Sequence, residues 1–207
     1  VIALGIDADG RKQMLDFEAG TSESAETVTR LLNRLRKRGV SSGEGRRLLV
    51  VRDGSEAIKS AVRRLWPEAL QQTCLVHLER NISDRLRQRD RSESQRLFSC
   101  LRKAEGGEAG EEAFEDLREF LAERNAAAAL ALSDRKEEIL VVHRLNVPAT
   151  LNVTLLSTNA IENVIRNWRE QTGNVKRWNV KGDMLSRWAA SGLLWAESGF
   201  RKVRHHE

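Results

Sequence analysis

The first part of the chain carries apolar residues in two different periods. Val1–Asp7 and Arg11–Gly20 alternate as strands do, around the turn Ala8-Asp9-Gly10, and this pattern predicts an antiparallel hairpin. Apolar residues then recur every three or four positions, which predicts an amphipathic helix with Ser22 as its N-cap and its end at Gly39. Its apolar stripe consists of Val28, Leu31, Leu32 and Leu35.

A second group of strands and a helix follows. The continuous apolar run 48–51 is typical of a buried strand, which ends at Arg52-Asp53-Gly54. A helical stripe then leads to Pro67, where the ring and the missing amide stop the helix. Leu70–His77 is predicted to be one more strand. The expected order is therefore strand, strand, helix, strand, helix, strand.

The pattern changes after this segment, and three units are expected. Residues 79–156 are charged, helical in pattern and poor in strand signals, so we interpret them as an all-helical insertion between an α/β unit (1–78) and a C-terminal unit (157–207). In the last unit, Thr158–Thr172 is a predicted helix, and a longer helix follows Gly182. The inward positions of that last helix are expected to be Leu185, Trp188, Ala189, Gly192 and Trp195.

Charge adds a partner class to this picture. The chain has 207 residues and a net charge of +5, and residues 166–207 hold nine basic against four acidic side chains. A segregated basic stretch suits a polyanion such as nucleic acid, although it also suits a solvated helix face. No apolar run approaches the ~18 residues that span a bilayer, and two cysteines make no disulfide framework, so a cytoplasmic protein is expected. The start at Val1, without Met and within a predicted strand, suggests a fragment.

Two carboxylates are candidates for a functional site. Asp53 follows a buried strand, where it is suited to hold Mg²⁺ or, alternatively, to cap the next helix. Glu162 lies beside the apolar stripe of its helix, and Arg166 four residues later makes a surface ion pair the simpler interpretation. Cys74 and His77 have the spacing of two zinc ligands, but a structural zinc site needs four.

Two stretches of the sequence resemble the bacterial mutator-type transposases. The first is VRDGSEAI at 51–58 followed by QQTCLVHLERN at 71–81, similar to the family's Asp-Gly helix start and its Gln-x-x-Cys-x-x-His-x-x-Arg-Asn signature. The second is STNAIEN at 157–163, similar to the family's Thr-Asn-x-x-Glu motif. The two motifs stand in the family's order with a helical segment between them, and the resemblance extends along essentially the whole chain.

This resemblance implies a fold and a chemistry. The fold is an α/β, RNase H-like mixed sheet, here without its first strand, with an all-helical insertion before the final catalytic helix. Three acidic residues of the family hold two Mg²⁺ or Mn²⁺ ions for DNA strand cleavage and transfer. Asp53 matches the second of them and Glu162 the last, while the first has no match, because Asp7 and Asp9 belong to the hairpin turn.

The resemblance also implies roles for other residues. Cys74, His77, Arg80 and Asn81 match the signature and are expected to be architectural. The DNA-binding residues are expected to be Arg166, Arg169, Lys176, Arg177 and Lys181, with double-stranded DNA, transposon ends and a second copy of the chain as partners. The rival hypothesis is a non-catalytic DNA-binding or oligomerising fragment that regulates transposition and needs neither carboxylate.

Overall fold

The fold was described from a computed structural model, which covers residues 1–19, 24–43, 45–173, 175 and 182–203. Four short strands and eleven helices lie in these residues. In chain order they are β1 (Ile2–Ile6), β2 (Lys12–Phe17), α1 (Ala25–Lys37), β3 (Leu49–Arg52), α2 (Glu56–Leu65), β4 (Leu70–Thr73), α3 (Leu75–Ser83), α4 (Gln88–Lys103), α5 (Gly106–Arg124), α6 (Ala126–Ser133), α7 (Lys136–Ile139), α8 (Val141–Arg144), α9 (Ala149–Leu155), α10 (Asn159–Thr172) and α11 (Met184–Ser198). The chain is thus mixed α/β and mostly helical.

The N-terminal hairpin forms as predicted. β1 and β2 pair antiparallel, with a register shift between Ala3 and Leu4. The turn is closed by the Gly10 amide, which donates to the Asp7 carbonyl, and by the Arg11 amide, which donates to Asp7 Oδ1. Gly10 has a φ of +71°, which a residue without a Cβ adopts at little cost. Asp7 is therefore occupied by its own turn.

The second pair of strands is parallel and ends at the predicted edge. β3 pairs with β4 from Leu49 opposite Leu70 to Arg52 opposite Thr73. Among the described residues, β1 and β3 share no hydrogen bonds, so the strands form two separate two-stranded sheets. Both sheets nevertheless pack on one apolar cluster with α1 and α2. The strand and near-strand members of that cluster are Val1, Ala3, Leu15, Leu48 and Val50.

Two boundaries differ from the sequence-based expectation. Ser22 lies outside the described residues, and the N-cap of α1 is Ser24, whose side chain accepts from the Thr27 amide. The last strand ends at Thr73 rather than His77, because the chain turns at Cys74 into α3. The Cys-x-x-His pair therefore stands at the start of a helix.

Residues 75–155 form a continuous helical region, α3 to α9, with its own core. The core includes Leu75, Phe98, Leu101, Phe114 and Leu121, each completely buried. The predicted helical segment is thus present, and its first helix begins four residues earlier than expected.

The last two helices cover the other face of the hairpin. Val164 of α10 and Leu193 and Ala196 of α11 pack against β1 and β2. The strand residues in this cluster are Ile2, Leu4, Met14 and Phe17. α10 and α11 approach closely because Gly192 leaves room for Trp168: a Cβ on Gly192 would lie 2.4 Å from Trp168 Cδ1.

The inward face of α11 differs from the prediction at its two tryptophans. The buried positions are Ala189, Gly192, Leu193 and Ala196, whereas Trp188 and Trp195 are 42% and 53% exposed. The true stripe keeps the spacing i, i+3, i+4, i+7, so the error was to assign the largest apolar side chains to it. Within the described residues, no helix is long and apolar enough to cross a membrane.

Candidate active site

Asp53 stands exposed at the end of β3. Its Oδ1 accepts a hydrogen bond of 3.1 Å from the Ser55 amide two residues on. Ser55, not Asp53, is the N-cap of α2, and its hydroxyl accepts from the Ile58 amide. The helix-cap interpretation of Asp53 is therefore wrong, and the carboxylate makes only one short local contact among the described residues.

Cys74 lies next to Asp53 across the ends of the parallel strands. The Cys74 amide donates to the Arg52 carbonyl at 2.7 Å, which continues the β3–β4 pairing by one residue. Its side chain is completely buried and occupies the N-cap position of α3. The Asp53 segment and the Cys-x-x-His segment therefore meet at one sheet edge, as the topology of parallel strands requires.

Thr158 joins this edge to the second motif. Its amide and its hydroxyl each lie 3.3 Å from Cys74 Sγ, and the hydroxyl lies 3.2 Å from His77 Nδ1. One arrangement of hydrogens satisfies these contacts: His77 Nδ1–H donates to Thr158 Oγ1, and the Thr158 hydroxyl donates to the sulfur. Because Thr158 is the N-cap of α10, the pair Cys74 and His77 fixes where that helix begins.

Glu162 occupies the first turn of α10, where the helix dipole favours a negative charge. Its Oε1 lies 3.6 Å from His77 Nδ1, and its Oε2 lies 3.5 Å from the Arg80 guanidinium. Oε1 is buried and has no hydrogen-bond donor. The expected pair with Arg166 is absent, since Arg166 donates to Asn163 at 2.9 Å.

Glu162 lies in the wall of an open cleft of about 760 Å³. Residues of α3 and α10 line it, among them His77, Asn159, Glu162, Asn163, Arg166 and Arg169. Two of the predicted DNA-binding residues, Arg166 and Arg169, are therefore exposed beside Glu162. The other three, Lys176, Arg177 and Lys181, lie outside the described residues. Asn81 of the signature is exposed on α3.

The two motifs thus converge on Cys74, but the site has few ligands. Within the described residues, no group of three or more His, Cys, Asp and Glu side chains is arranged to hold a metal ion. Among the described residues, Cys74 and His77 therefore have no further side chains beside them that would complete a zinc site. That the Asp53 and Glu162 carboxylates lie within roughly 10 Å of each other, as two ions of one site require, stays a prediction.

Comparison with known proteins identifies the family. Residues 1–179 match the family model described as transposase, Mutator family. The chain belongs to the Mutator family of transposases. The family assignment confirms the resemblance that motifs 51–58, 71–81 and 157–163 indicated.

Three transposases of insertion sequence elements are similar to this chain. The transposase for insertion sequence element IS905 of Lactococcus lactis is 28% identical over 171 residues, which are 83% of this chain and 42% of that protein. The transposase for IS1201 of Lactobacillus helveticus is 31% identical over 80% of this chain and 44% of its own length. The transposase for IST2 of Acidithiobacillus ferrooxidans is 28% identical over 89% of this chain and 61% of its own length. The chain thus spans about two fifths to three fifths of these relatives.

The role of Thr158 was missed from the sequence of this Mutator-family chain. Thr158 was quoted only as part of the Thr-Asn-x-x-Glu motif, without a contact to explain it. Its partner Cys74 is 84 residues away, and the helical region lies between them. No local sequence pattern reports a contact between residues so far apart.

Proposed function

We propose that this chain carries the catalytic edge of a DNA transposase, which cleaves and joins DNA strands with Asp53 and Glu162 as metal ligands. The observation that supports this most is the convergence of both family motifs on Cys74. Arg52 brings Asp53 to this residue from one side, and Thr158 brings α10 with Glu162 from the other.

The fold proposed for the intact site is RNase H-like. The hairpin and the parallel pair rest side by side on α1 and α2, and β1 and β3 share no hydrogen bonds. One further strand between β1 and β3 would unite the two sheets into a single mixed sheet. In the proposed fold this strand carries the first of the three carboxylates, for which neither Asp7 nor Asp9 is a substitute.

The donor set suits Mg²⁺ or Mn²⁺, because carboxylate oxygens are the ligands that these ions prefer. Glu162 Oε1 is buried and accepts no hydrogen bond, so this oxygen is open to a metal ion although Arg80 lies 3.5 Å from Oε2. Two bound ions would activate the attacking water or 3′-hydroxyl and stabilise the leaving oxygen. The chain's own contribution is to hold Asp53 at a strand end and Glu162 at a helix start.

DNA is the proposed partner, bound mainly through its phosphates. Arg166 and Arg169 line the cleft with Glu162, and Lys176, Arg177 and Lys181 follow in the same basic segment. Such scattered cations neutralise the backbone rather than read bases, so affinity should fall steeply with salt and vary little with sequence. We propose transposon ends as the substrate, a homo-oligomer on the DNA as the assembly, and the cytoplasm as the location.

A non-catalytic, DNA-binding role for this chain is the second candidate. It is favoured by one observation: no group of three or more acidic, cysteine or histidine side chains in the described residues is arranged to hold a metal ion. In that case the cleft arginines would be required and both carboxylates dispensable.

Nicking of a labelled duplex that carries the element's ends, with and without Mn²⁺, separates these functions. The 207-residue chain alone should bind the duplex and cleave it at no useful rate, since two carboxylates do not fix two ions. A longer transposase chain that includes the first Asp should nick it. In that protein, Asp53→Asn and Glu162→Gln should each abolish nicking with DNA binding nearly unchanged.

The matched control is Glu170→Gln, which removes a carboxylate from the same cleft. It should leave nicking intact. Nicking that survives Glu162→Gln contradicts the catalytic assignment and favours the binding role. Robust metal-dependent nicking by the 207-residue chain would mean that Asp7 or Asp9 supplies the first carboxylate.

A further inference from the structure

The helical region places one arginine directly against the strand-end site. Arg135, the residue before α7, has its guanidinium over the backbone of Gly54, which follows Asp53. A Cβ on Gly54 would lie 2.7 Å from Arg135 Nη1, closer than nonbonded atoms approach. Gly54 also has a φ of +96°, so both the turn and the close approach require glycine here.

The Arg135 side chain is half-buried against Gly54. No hydrogen bond or ion pair engages its guanidinium among the described residues. Most arginines of the helical region differ in this respect: Arg144, for example, contacts both Glu111 and Glu137. Within the described residues, the donor groups of Arg135 are therefore available to a ligand.

A buried polar network holds α7, and with it Arg135, at this edge. Arg52 of β3 has a side chain that is 1% exposed and pairs with Glu138 of α7. Glu138 also binds Lys59 at 2.6 Å and accepts from the Thr73 hydroxyl at 3.2 Å. These contacts tie β3, α2 and β4 to one turn of α7.

A buried glutamine adds to the attachment. Gln72 of β4 is completely buried, donates to the Ile139 carbonyl at 2.9 Å and accepts from the Val142 amide at 3.1 Å. α7 is thus fixed to the sheet by side chains from both parallel strands, and the position of Arg135 over Gly54 is a consequence of this packing.

We propose that Arg135 is a phosphate-positioning residue, which binds the DNA strand that approaches Asp53. A guanidinium presents paired donors to the oxygens of a phosphate, and Arg135 offers them beside a carboxylate with which it forms no ion pair. The helical region thereby contributes a binding group to an edge otherwise built from β3, β4 and α10. The inference rests on the proposed function, since it takes Asp53 to be the place where DNA is brought.

The first experiment compares Arg135→Gln with Arg63→Gln in the 207-residue chain, by fluorescence anisotropy of a short labelled duplex. Arg63 is an exposed arginine in the last turn of α2, the end away from Asp53, so both variants remove one charge. Arg135→Gln should weaken binding about tenfold at low salt and lower the slope of log K against log salt by about 0.9. Arg63→Gln should change the affinity less than about twofold.

Arg135→Lys separates a phosphate-binding role of Arg135 from a purely structural role. It keeps the charge, so the salt slope should return to the wild-type value, while the affinity recovers only in part because the paired donors are lost. The thermal unfolding of all three variants should stay close to that of the wild type, since none of them breaks a hydrogen bond or ion pair of the Arg135 guanidinium among the described residues.

The second experiment uses glycines with the same backbone strain. Gly54→Ala and Gly39→Ala place a Cβ at φ values of +96° and +99°, and nothing lies within 4 Å of the new methyl group at Gly39. Both should lose similar stability, but only Gly54→Ala displaces the Arg135 guanidinium and should weaken DNA binding. On an Arg135→Gln background, Gly54→Ala should have no further effect on binding.

Each outcome decides one of the two claims. If Arg135→Gln binds DNA as Arg63→Gln does, while Arg166→Gln and Arg169→Gln weaken binding, the inference is wrong and the proposed function stands. Equal DNA binding by Gly54→Ala and Gly39→Ala also contradicts the inference. If the wild-type chain binds no duplex even at low salt, the inference and the proposed DNA partner both fail.

Discussion

The helical region and the strand-bearing remainder of the chain differ in how completely they bury an apolar core. Residues 75–155 bury an apolar core that includes Phe98, Phe114 and Leu117, and they surround it with ion pairs such as those of Lys136. The strand-bearing part has two small apolar clusters on either side of the hairpin and two sheets with unjoined edges. The candidate site residues Asp53 and Glu162 lie in the strand-bearing part, next to its junction with the helical region.

This difference indicates that the helical region stabilises the strand-bearing part. A strand end in a two-stranded sheet has little packing to hold it, so the polar network of Arg52, Glu138 and Thr73 makes the helical region its support. The helical region therefore acts as a brace: it holds the strand end of the candidate site in place and does not fold as an unconnected unit. The three changes below test that relation at the junction, in the strand-bearing part and in the helical core.

The largest effect is expected at the junction. Glu138→Gln leaves Arg52 buried without its counter-charge and should lower the free energy of unfolding by about 3 kcal/mol in urea denaturation. Burial raises the pKa of Glu138, but Lys59 and Arg52 outweigh this and hold that pKa below its usual range, so the native pair is ionised near neutral pH. The adjacent Glu137→Gln is the control. Among the described residues the Glu137 side chain, which is 78% exposed, pairs only with Arg144, so this change should leave stability unchanged. Equal effects of the two changes would contradict the brace.

A smaller effect is expected where α10 meets α11. Gly192→Ala drives a methyl group into the Trp168 ring, a rigid neighbour, and should cost about 2 kcal/mol by the same measurement. Gly182→Ala is the matched control, because nothing lies within 4 Å of a Cβ there. If Gly192→Ala is as stable as Gly182→Ala, the covering of the hairpin by these helices is looser than described.

The smallest effect is a pH dependence that belongs to the helical core. His143 is 2% exposed, donates from Nε2 to the Leu101 carbonyl at 2.8 Å, and lies against Gly110. Burial lowers the pKa of His143 below its usual value. The unfolded chain therefore binds a proton that the folded chain resists, and stability should fall as the pH drops below about 6.5.

His143→Gln removes this proton and should flatten the pH profile. Unfolding midpoints measured from pH 7.5 to about pH 5, above the range where carboxylates titrate, check this. Profiles with the same slope in both proteins would contradict the buried neutral histidine.

Much of the fold was predictable from the chain's own patterns. The hairpin, the amphipathic helices α1 and α2, the strand before Asp53 and the helical segment after His77 each have a local signature that the structure reproduces. Periodicity failed where it was asked to choose between neighbouring faces: in α11 the small residues Ala189 and Gly192 allow close packing, while Trp188 and Trp195 remain largely exposed. Size was a poor guide because helices approach most closely over small side chains.

The candidate site was predictable only as a set of residues. Asp53 and Glu162 were identified by their motifs, but the contacts that link them run through Cys74 and Thr158, which are 84 positions apart. The contact of Arg135 with Gly54 has no sequence signal, since an arginine between two short helices looks like any solvated residue. Long-range pairing of this kind is decided by how α7 packs on β4, which no local pattern contains.

Mn²⁺ binding to the 207-residue chain, followed by the electron paramagnetic resonance signal of the free ion, tests the central claim that Asp53 and Glu162 form one cation site. The chain should bind Mn²⁺, and Asp53→Asn and Glu162→Gln should each weaken that binding at least about tenfold, because each removes one carboxylate from the same ion. Glu170→Gln should bind as the wild type does. Unchanged Mn²⁺ affinity in either Asp53→Asn or Glu162→Gln would contradict the claim that the two carboxylates share a site.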